Sequence, residues 1–293
     1  MPGRQCVSTP CKINLHLGIH AEKDERGYHR VDSVMVPVAL FDDVVVEDAC
    51  ELSVSHTPAL CVPPEKTTAW KAAVLLAEAL GEKPCVRISV TARIPEKAGL
   101  GGSSADAGAV LRALCERWGV DPLDPRVVAV ARRVGADVPF FLDPRPSLHL
   151  GAGDLLAESF DACSLPVALV MPAGEGVSAK AAYDEFDRAA EEPASYEPMC
   201  EALRSGVAGA VPELLYNNLA PAVCRLQPGC EEVVTWEREQ PETVAAMVTG
   251  SGSCAFAVCR SLEGARAIAE RAAKVQGWWS FATLTVGTQE EVC

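Results

Sequence analysis

The hydrophobic and polar positions of this chain alternate with strand period in several short runs. The run INLHLGI (13–19) alternates apolar with polar or small residues, and CVRISVTARIP (85–95) does the same. This period of two is typical of a half-buried β-strand. DDVVVED (42–48) is a further short strand candidate. The chain therefore contains strands that bury one face.

Other runs have the spacing of helices. TTAWKAAVLLAEALGEK (67–83) predicts a helix that ends at Gly81. A second helix follows a glycine-rich stretch and is predicted to end at Gly119. A new strand, turn and helix begin within DACSLPVALVMPAGEGVSAKAAYDEF (161–186). Because helices and strands interleave, the sequence predicts an α+β or α/β protein with a domain change near residue 160.

The charge balance of the chain argues against some classes of partner. Against 26 Lys and Arg stand 40 Asp and Glu, so the net charge is −14 over 293 residues. This balance disfavours nucleic acid and anionic membranes, which are polyanions. No apolar run approaches the roughly 20 residues that span a bilayer, and the N-terminus lacks the apolar core of a signal peptide. The 13 cysteines include no C-x-x-C pair, which disfavours a zinc site and fits a reducing cytoplasm.

The stretch RIPEKAGLGGSSADAGAVLRAL (93–114) concentrates glycines between a predicted strand and a predicted helix. A helix N-terminus presents unpaired N–H groups and the positive end of the dipole. Preceding glycines let several N–H groups converge on an anion, which is the arrangement of a phosphate-binding loop. Ser103 and Ser104 are expected at the N-cap and Asp106 in the first turn.

Two common nucleotide motifs do not fit this stretch. A Walker A loop needs Lys after its glycines, whereas Lys97 precedes them. A Rossmann fingerprint needs a third glycine that GLGGSS (99–104) lacks. A tight turn that only caps a helix remains the simple alternative, so the glycines alone do not establish a phosphate site.

Three further segments change the interpretation. TPCKINLHL places Lys12 and Asn14 on one face of the first strand. DERGYHRVDSVM puts Tyr28 and His29 directly after a glycine, and GADVPFFL contains Asp137. Taken singly, these residues have ordinary explanations: a surface charge, a structural histidine and a turn former.

Together the segments resemble the GHMP kinase superfamily over nearly the whole chain. PCKINLHL, IPEKAGLGGSSADA, GADVPFFL and GSGSCAFAV match its motifs, and GYHRVDSVM selects a branch. That branch phosphorylates the 2-hydroxyl of 4-diphosphocytidyl-2-C-methyl-D-erythritol in non-mevalonate isoprenoid biosynthesis. The resemblance implies a cytoplasmic kinase that is a monomer or weak homodimer and uses ATP with Mg²⁺; no protein ligand of the metal is assigned.

The same resemblance implies a two-domain α+β fold. Residues 1–162 would form an N-terminal domain similar to ribosomal protein S5 domain 2, with the ATP-phosphate loop. Residues 163–293 would form a ferredoxin-like C-terminal domain, with the active site in the cleft between the two.

The family's site residues can be carried over to this sequence. Lys12 and Asp137 match the catalytic pair. A carboxylate can accept the proton of an alcohol, and an ammonium favours the developing alkoxide. Asn14, Tyr28, His29 and Tyr183 match substrate-binding positions; two aromatic rings would hold the cytosine. The implied ATP-phosphate loop comprises Pro95, Glu96, Lys97, Ala98, Gly99, Leu100, Gly101, Gly102, Ser103, Ser104 and Ala105.

The sequence departs from the family pattern at several positions. Cys11 replaces an Ala, Ser103 a third Gly, and Ala179 a Thr. Thr67 and Thr68 stand where Asn-Leu is common, so the adenine contacts are not assigned. Three alternatives stay open: a superfamily kinase for mevalonate, homoserine or another small alcohol, a nucleotide-binding protein without catalysis, and a purely structural domain.

Overall fold

The computed structural model describes residues 3–286. The chain folds into two compact units, each made of several segments. Unit 1 contains the chain up to Cys11, Leu40–Pro95 and Gly101–Pro144. Unit 2 contains Lys12–Ala39, Glu96–Leu100 and the chain from Arg145 onward. The predicted boundary at residues 162 and 163 stays a prediction.

Unit 1 is built on strands that pair side by side. Strands β1 (Arg4–Lys23) and β2 (His29–Asp48) each have one part in this unit, and the sheet order continues through β4 (Val86–Thr91) to β3 (Ser53–Thr57). β2 pairs antiparallel with β4, so that Val46 lies opposite Ile88. β4 pairs in parallel with β3.

The helices of unit 1 are bounded by capping residues. Thr67 accepts a hydrogen bond from Trp70 at the start of α1 (Thr68–Leu80), which ends at Gly81. α2 (Gly102–Trp118) ends at Gly119, and α3 (Pro125–Val134) begins after Asp124. Short 3-10 helices cover Pro64–Lys66 and Val138–Leu142.

α2 is the central helix of the unit 1 core. All its side chains from Ala105 to Cys115 are buried. Gly108 is required at one contact, because a Cβ there would lie 2.4 Å from the Cβ of Phe141. The segment Val138–Leu142 therefore packs closely on the helix.

Unit 2 contains the other parts of β1 and β2 and a separate four-stranded sheet. The strand pair β5 (Ser147–Leu150) and β6 (Leu155–Ser159) adds to β2, and β8 (Tyr216–Asn217) pairs in parallel with β1. The separate sheet is antiparallel, with the order β11-β7-β10-β9. These strands are β7 (Pro166–Met171), β9 (Thr243–Val248), β10 (Ala255–Cys259) and β11 (Trp279–Leu284).

Helices cover this sheet. The α-helices of unit 2 are α4 (Ala179–Phe186), α5 (Glu197–Arg204), α6 (Ala220–Leu226), α7 (Gly229–Arg238) and α8 (Leu262–Arg271). α8 packs on β7 and β11, while α7 packs on β9 and β10. Two 3-10 helices cover Asp187–Ala189 and Ala208–Leu214, and a π-helix covers Ala272–Gln276.

The predicted helix ends at Gly81 and Gly119 are confirmed, as are the strand and helix within 161–186. The strands predicted at 13–19 and 42–48 are parts of two 20-residue strands. β1 continues further than its alternating pattern because residues 9–19 are buried on both faces. Between residues 3 and 286, each helix is too short or too polar to cross a bilayer.

Candidate active site

Lys12 is held inside unit 2 by its neighbours on β1 and β2. The residue is 3% exposed, and its Nζ donates to Oδ1 of Asn14 at 2.6 Å. The Asn14 side chain in turn donates to Oγ of Ser33 at 2.9 Å, and its backbone N–H donates to Oγ1 of Thr249 at 3.1 Å. The alternation of β1 places Lys12 and Asn14 on one face, as the sequence predicts.

Residues Glu96–Leu100 of the glycine-rich stretch belong to unit 2 and form hydrogen bonds with it near Lys12. The carbonyl of Leu100 accepts the backbone N–H of Lys12 at 3.0 Å. The carbonyls of Lys97 and Ala98 accept the N–H groups of Ser253 and Cys254 at 3.0 and 3.1 Å. Three carbonyl oxygens, which would repel a phosphate, are thus turned toward protein donors.

Gly99 permits a close approach between two glycine-rich segments. Its φ is +72°, and a Cβ there would lie 2.2 Å from the carbonyl oxygen of Thr249. A Cβ on Gly250 would in turn lie 3.0 Å from Nζ of Lys12. A side chain at either position would displace the loop or the lysine. The two glycine motifs therefore pack against each other beside Lys12.

The start of α2 differs from expectation. Its N-cap is Gly101, in the left-handed conformation and without a side-chain cap. Ser103 and Ser104 lie inside the first turn, so their prediction as N-cap residues is wrong, and Asp106 lies beyond that turn and is buried. The left-handed turn at Gly101 starts the helix earlier than a serine cap would. Helix geometry still leaves its first N–H groups without an acceptor inside the helix.

Thr67 and Thr68 use their hydroxyls within unit 1. Thr67 Oγ1 donates to the carbonyl of Pro64 at 2.6 Å. Thr68 Oγ1 donates to the carbonyl of Ser103 at 2.5 Å. The second bond ties α1 to the first turn of α2, which gives these departures a structural role.

Asp137 lies in unit 1, in the segment that follows α3. It precedes the 3-10 helix Val138–Leu142 and is half-buried. Two residues earlier, a Cβ on Gly135 would lie 4.0 Å from Oγ of Ser104. The chain around Asp137 is therefore a neighbour of the predicted phosphate loop at Ser104.

Tyr28 lies on an exposed turn. Tyr28 is 57% exposed, and its backbone N–H donates to Oδ1 of Asp24. The guanidinium of Arg26 lies 5.3 Å from the ring centroid and also donates to the buried carboxylate of Asp154 at 3.1 Å. Arg26 thus links the turn to the body of unit 2.

His29, the next residue, is buried and stacked. Its Nδ1 lies 2.7 Å from the carbonyl of His20; since a carbonyl only accepts, Nδ1 carries a proton. The ring stacks on Tyr183 with centroids 5.5 Å apart and meets Phe186 edge-on. Nε2 lies 3.0 Å from Oδ1 of Asp187, an ion-pair distance without the alignment of a hydrogen bond. The structure brings His29 and Tyr183 together and leaves Tyr28 at the surface.

Sequence reasoning missed three contact residues of this region. Ser33 and Thr249 bond to Asn14, and Phe186 contacts the His29 ring. The motif GSGSCAFAV directly follows Thr249, so the second glycine stretch was the available signal. Nothing in the local pattern marks Ser33.

Comparison with protein-family models gives two matches. The description "GHMP kinases N terminal domain" matches residues 67–143, and "GHMP kinases C terminal" matches residues 199–276. The matched segments contain the start of α2, Asp137 and the second glycine motif.

Curated proteins with the name 4-diphosphocytidyl-2-C-methyl-D-erythritol kinase are similar over most of the chain. The protein from Mycolicibacterium gilvum is 35% identical, covering 88% of this chain and 83% of its own length. The protein from Nocardia farcinica is 34% identical, covering 92% and 89%.

Solved structures agree in fold. A crystal structure of 4-(cytidine 5'-diphospho)-2C-methyl-D-erythritol kinase superposes with a TM-score of 0.78 at 31% identity, covering 97% of this chain and 99% of that one. Homoserine kinase from Cytophaga hutchinsonii has a TM-score of 0.73 at 18% identity, covering 98% and 96%, and shares the fold.

Proposed function

Because the chain belongs to the GHMP kinase family, we propose that it transfers the γ-phosphoryl group of ATP to the 2-hydroxyl of 4-diphosphocytidyl-2-C-methyl-D-erythritol. The family makes it an ATP-dependent kinase of a small molecule. Its relatives at 31–35% identity support the cytidine-containing substrate and a place in non-mevalonate isoprenoid biosynthesis.

One observation carries this proposal: the backbone of Lys12 is bonded to Leu100 of the glycine-rich loop. The strand residue that carries a buried ammonium is thereby bonded to a loop in which three carbonyls accept protein N–H groups. Phosphoryl transfer depends mainly on positioning and on stabilisation of charge. The loop Pro95–Ala105 would bind the triphosphate, and Lys12 would stabilise charge on the reacting oxygens.

Asp137 is the proposed general base. A tertiary alcohol becomes a nucleophile when a carboxylate accepts its proton during the transfer. This proposal is supported by Gly135, two residues earlier, where a Cβ would lie 4.0 Å from Oγ of Ser104 in the proposed phosphate loop. Asn14 accepts a hydrogen bond from the Lys12 ammonium. It would orient that lysine and contact the substrate near the reacting hydroxyl.

His29, Tyr28 and Tyr183 are the proposed cytosine-binding residues. The His29 ring is fixed by the His20 carbonyl and by Tyr183, so it can present a defined edge to a base. Tyr28 offers an exposed aromatic face. A short hydroxy acid has no use for these rings, which favours the cytidine compound over mevalonate or homoserine.

We propose that Mg²⁺ enters with ATP, coordinated mainly by phosphate oxygens, as is usual for this ion. Its chemistry would be to neutralise charge on the transferred group. The cytoplasmic location and the state as a monomer or weak homodimer stay predictions.

A coupled ADP-release assay tests the proposal. The protein is given ATP and Mg²⁺ with 4-diphosphocytidyl-2-C-methyl-D-erythritol, mevalonate or homoserine in separate reactions. Of the three alcohols, we expect only the cytidine compound to give rapid ADP release. The control is Asp137→Asn, which keeps size and polarity but cannot accept the proton.

In that variant, turnover should fall by orders of magnitude while both KM values stay within about threefold. Release with mevalonate or homoserine at equal efficiency would contradict the substrate assignment. An unchanged turnover in Asp137→Asn would remove Asp137 as the base.

A further inference from the structure

The N-terminal end of the predicted phosphate loop is held by a buried carboxylate on β2. Asp42 is 1% exposed. Its Oδ1 accepts the backbone N–H groups of Arg93 at 2.5 Å and Ile94 at 2.9 Å. These two residues directly precede Pro95, where the loop begins. One carboxylate oxygen therefore fixes the chain as it enters the loop.

The C-terminal end of the loop is held by the same carboxylate. Asp106 directly follows Ala105, the last loop residue, and is 7% exposed. Its side chain shares a hydrogen bond with Asp42. The two ends of the loop also lie close together, since a Cβ on Gly102 would lie 3.1 Å from Cγ2 of Ile94. Both ends of the loop thus converge on Asp42.

The burial of both carboxyl groups favours a state in which they share one proton. Burial, and then the charge of Asp42, raise the pKa of Asp106 to about 8. Asp42 is the acceptor of the pair because two backbone N–H groups already donate to it. The neutral form of Asp106 supplies the proton of that hydrogen bond, and burial of a neutral carboxylic acid costs less than burial of a second ion.

We propose that Asp42 and Asp106 form a carboxyl clamp that joins the two ends of the loop Pro95–Ala105 and holds its backbone ready for the ATP phosphates. The inference rests on the proposed function of that loop. Both are positioning residues, since they act through the backbone of the loop. When the clamp is broken, ATP binding must also order the loop, and its affinity falls.

Two variants of nearly equal size separate this role from simple packing. Asp106→Asn can still donate an N–H to Asp42, whereas Asp106→Leu cannot and leaves the buried Asp42 carboxylate with fewer partners. The measurements are the KM for ATP, the KM for the alcohol, the turnover, and the affinity for ADP by calorimetry.

We expect Asp106→Leu to raise the KM for ATP and weaken ADP binding by about tenfold or more. The KM for the alcohol should change by less than about threefold. Asp106→Asn should keep both nucleotide constants within about threefold of wild type. If the leucine variant does not fold, Asp106→Ala removes the same hydrogen bond with less steric demand and carries the same expectation.

Hydrogen exchange gives a readout independent of turnover. The amides of Arg93 and Ile94 should be protected in wild type and in Asp106→Asn, and should exchange faster in Asp106→Leu. The matched control is Asp43→Asn. Asp43 is the next carboxylate on β2 and bonds to Ser8 and to the Arg93 side chain. This control should leave ADP affinity unchanged.

Two outcomes would overturn the clamp. One is ADP affinity and amide exchange in Asp106→Leu that match wild type. The other is an equal loss of turnover in both Asp106 variants with the KM for ATP unchanged, which would place Asp106 in the chemical step. A wild-type protein that binds no ADP would overturn the proposed function, and the clamp with it.

Discussion

Two regions of unit 2 differ in solvent exposure, although one lies on β1 and the other on the turn that joins β1 to β2. Lys12 is 3% exposed and bonded through its side chain and backbone, to Asn14 and Leu100. Tyr28 is 57% exposed on a turn that is anchored through Arg26. One region is fixed in advance, and the other leaves an aromatic ring in solvent.

This difference fits the two roles proposed for Lys12 and Tyr28. A charge that stabilises a transition state is most effective when it is oriented beforehand, because no reorganisation is then needed. A ring that stacks on a base needs an open face, since burial by the protein would exclude the ligand. His29 lies between these cases: its imidazole is buried and fixed, but it directly follows the exposed Tyr28 in the chain.

The largest expected effect is at the fixed region. Lys12→Met keeps the length of the side chain and removes its charge. Turnover should fall by about 10²–10³-fold, because an oriented charge no longer stabilises the transferred group. The KM for the cytidine compound should change little. The ADP-release assay measures both constants.

The control for this variant is Lys274→Met. Lys274 is an exposed lysine that pairs with Glu270 on the same helical face, so its removal should leave turnover unchanged. A Lys12→Met enzyme with more than half of the wild-type turnover would show that burial of Lys12 serves stability alone. The burial of Lys12 would then have no role in catalysis.

His29→Ala tests the intermediate case. The change removes an imidazole that stacks on Tyr183 and is oriented by His20. The KM for the cytidine compound should rise by about tenfold or more, in line with stacking and hydrogen-bond energies, while the KM for ATP stays within about twofold. Both follow from initial rates at varied concentration of each substrate.

His56→Ala is the matched control, since His56 lies on β3 in unit 1. An equal rise of both KM values in His29→Ala would indicate a general loss of structure. It would exclude a role of the imidazole in cytosine binding.

Much of this arrangement follows from local sequence. Gly81 and Gly119 end their helices because they adopt the left-handed conformation, and the alternation of β1 places Lys12 and Asn14 on one face. Such features depend on a few adjacent residues and are readable from a pattern. The serine caps were predicted wrongly because Gly101 itself turns the chain into α2.

Long-range contacts were not readable. Asp42 and Asp106 are 64 positions apart, and neither residue type indicates that they share a hydrogen bond. Thr249 and Asn14 are separated by 235 positions. Only the fold brings such pairs together, so the sequence predicts the loop and the lysine but not what holds them.

The smallest expected effect is at the exposed turn. Tyr28→Leu keeps apolar area but removes the aromatic face, and it should raise the KM for the cytidine compound by about threefold to fivefold. The effect is smaller than at His29 because an exposed ring exchanges contact with water for contact with the base. Tyr28→Phe, which keeps the ring and the position of Arg26 over it, should match wild type. A rise in Tyr28→Leu that equals that of His29→Ala would mean that the turn closes on the base and loses its exposure when substrate binds. Initial-rate measurements on the three variants in parallel distinguish an open aromatic face from a closing one.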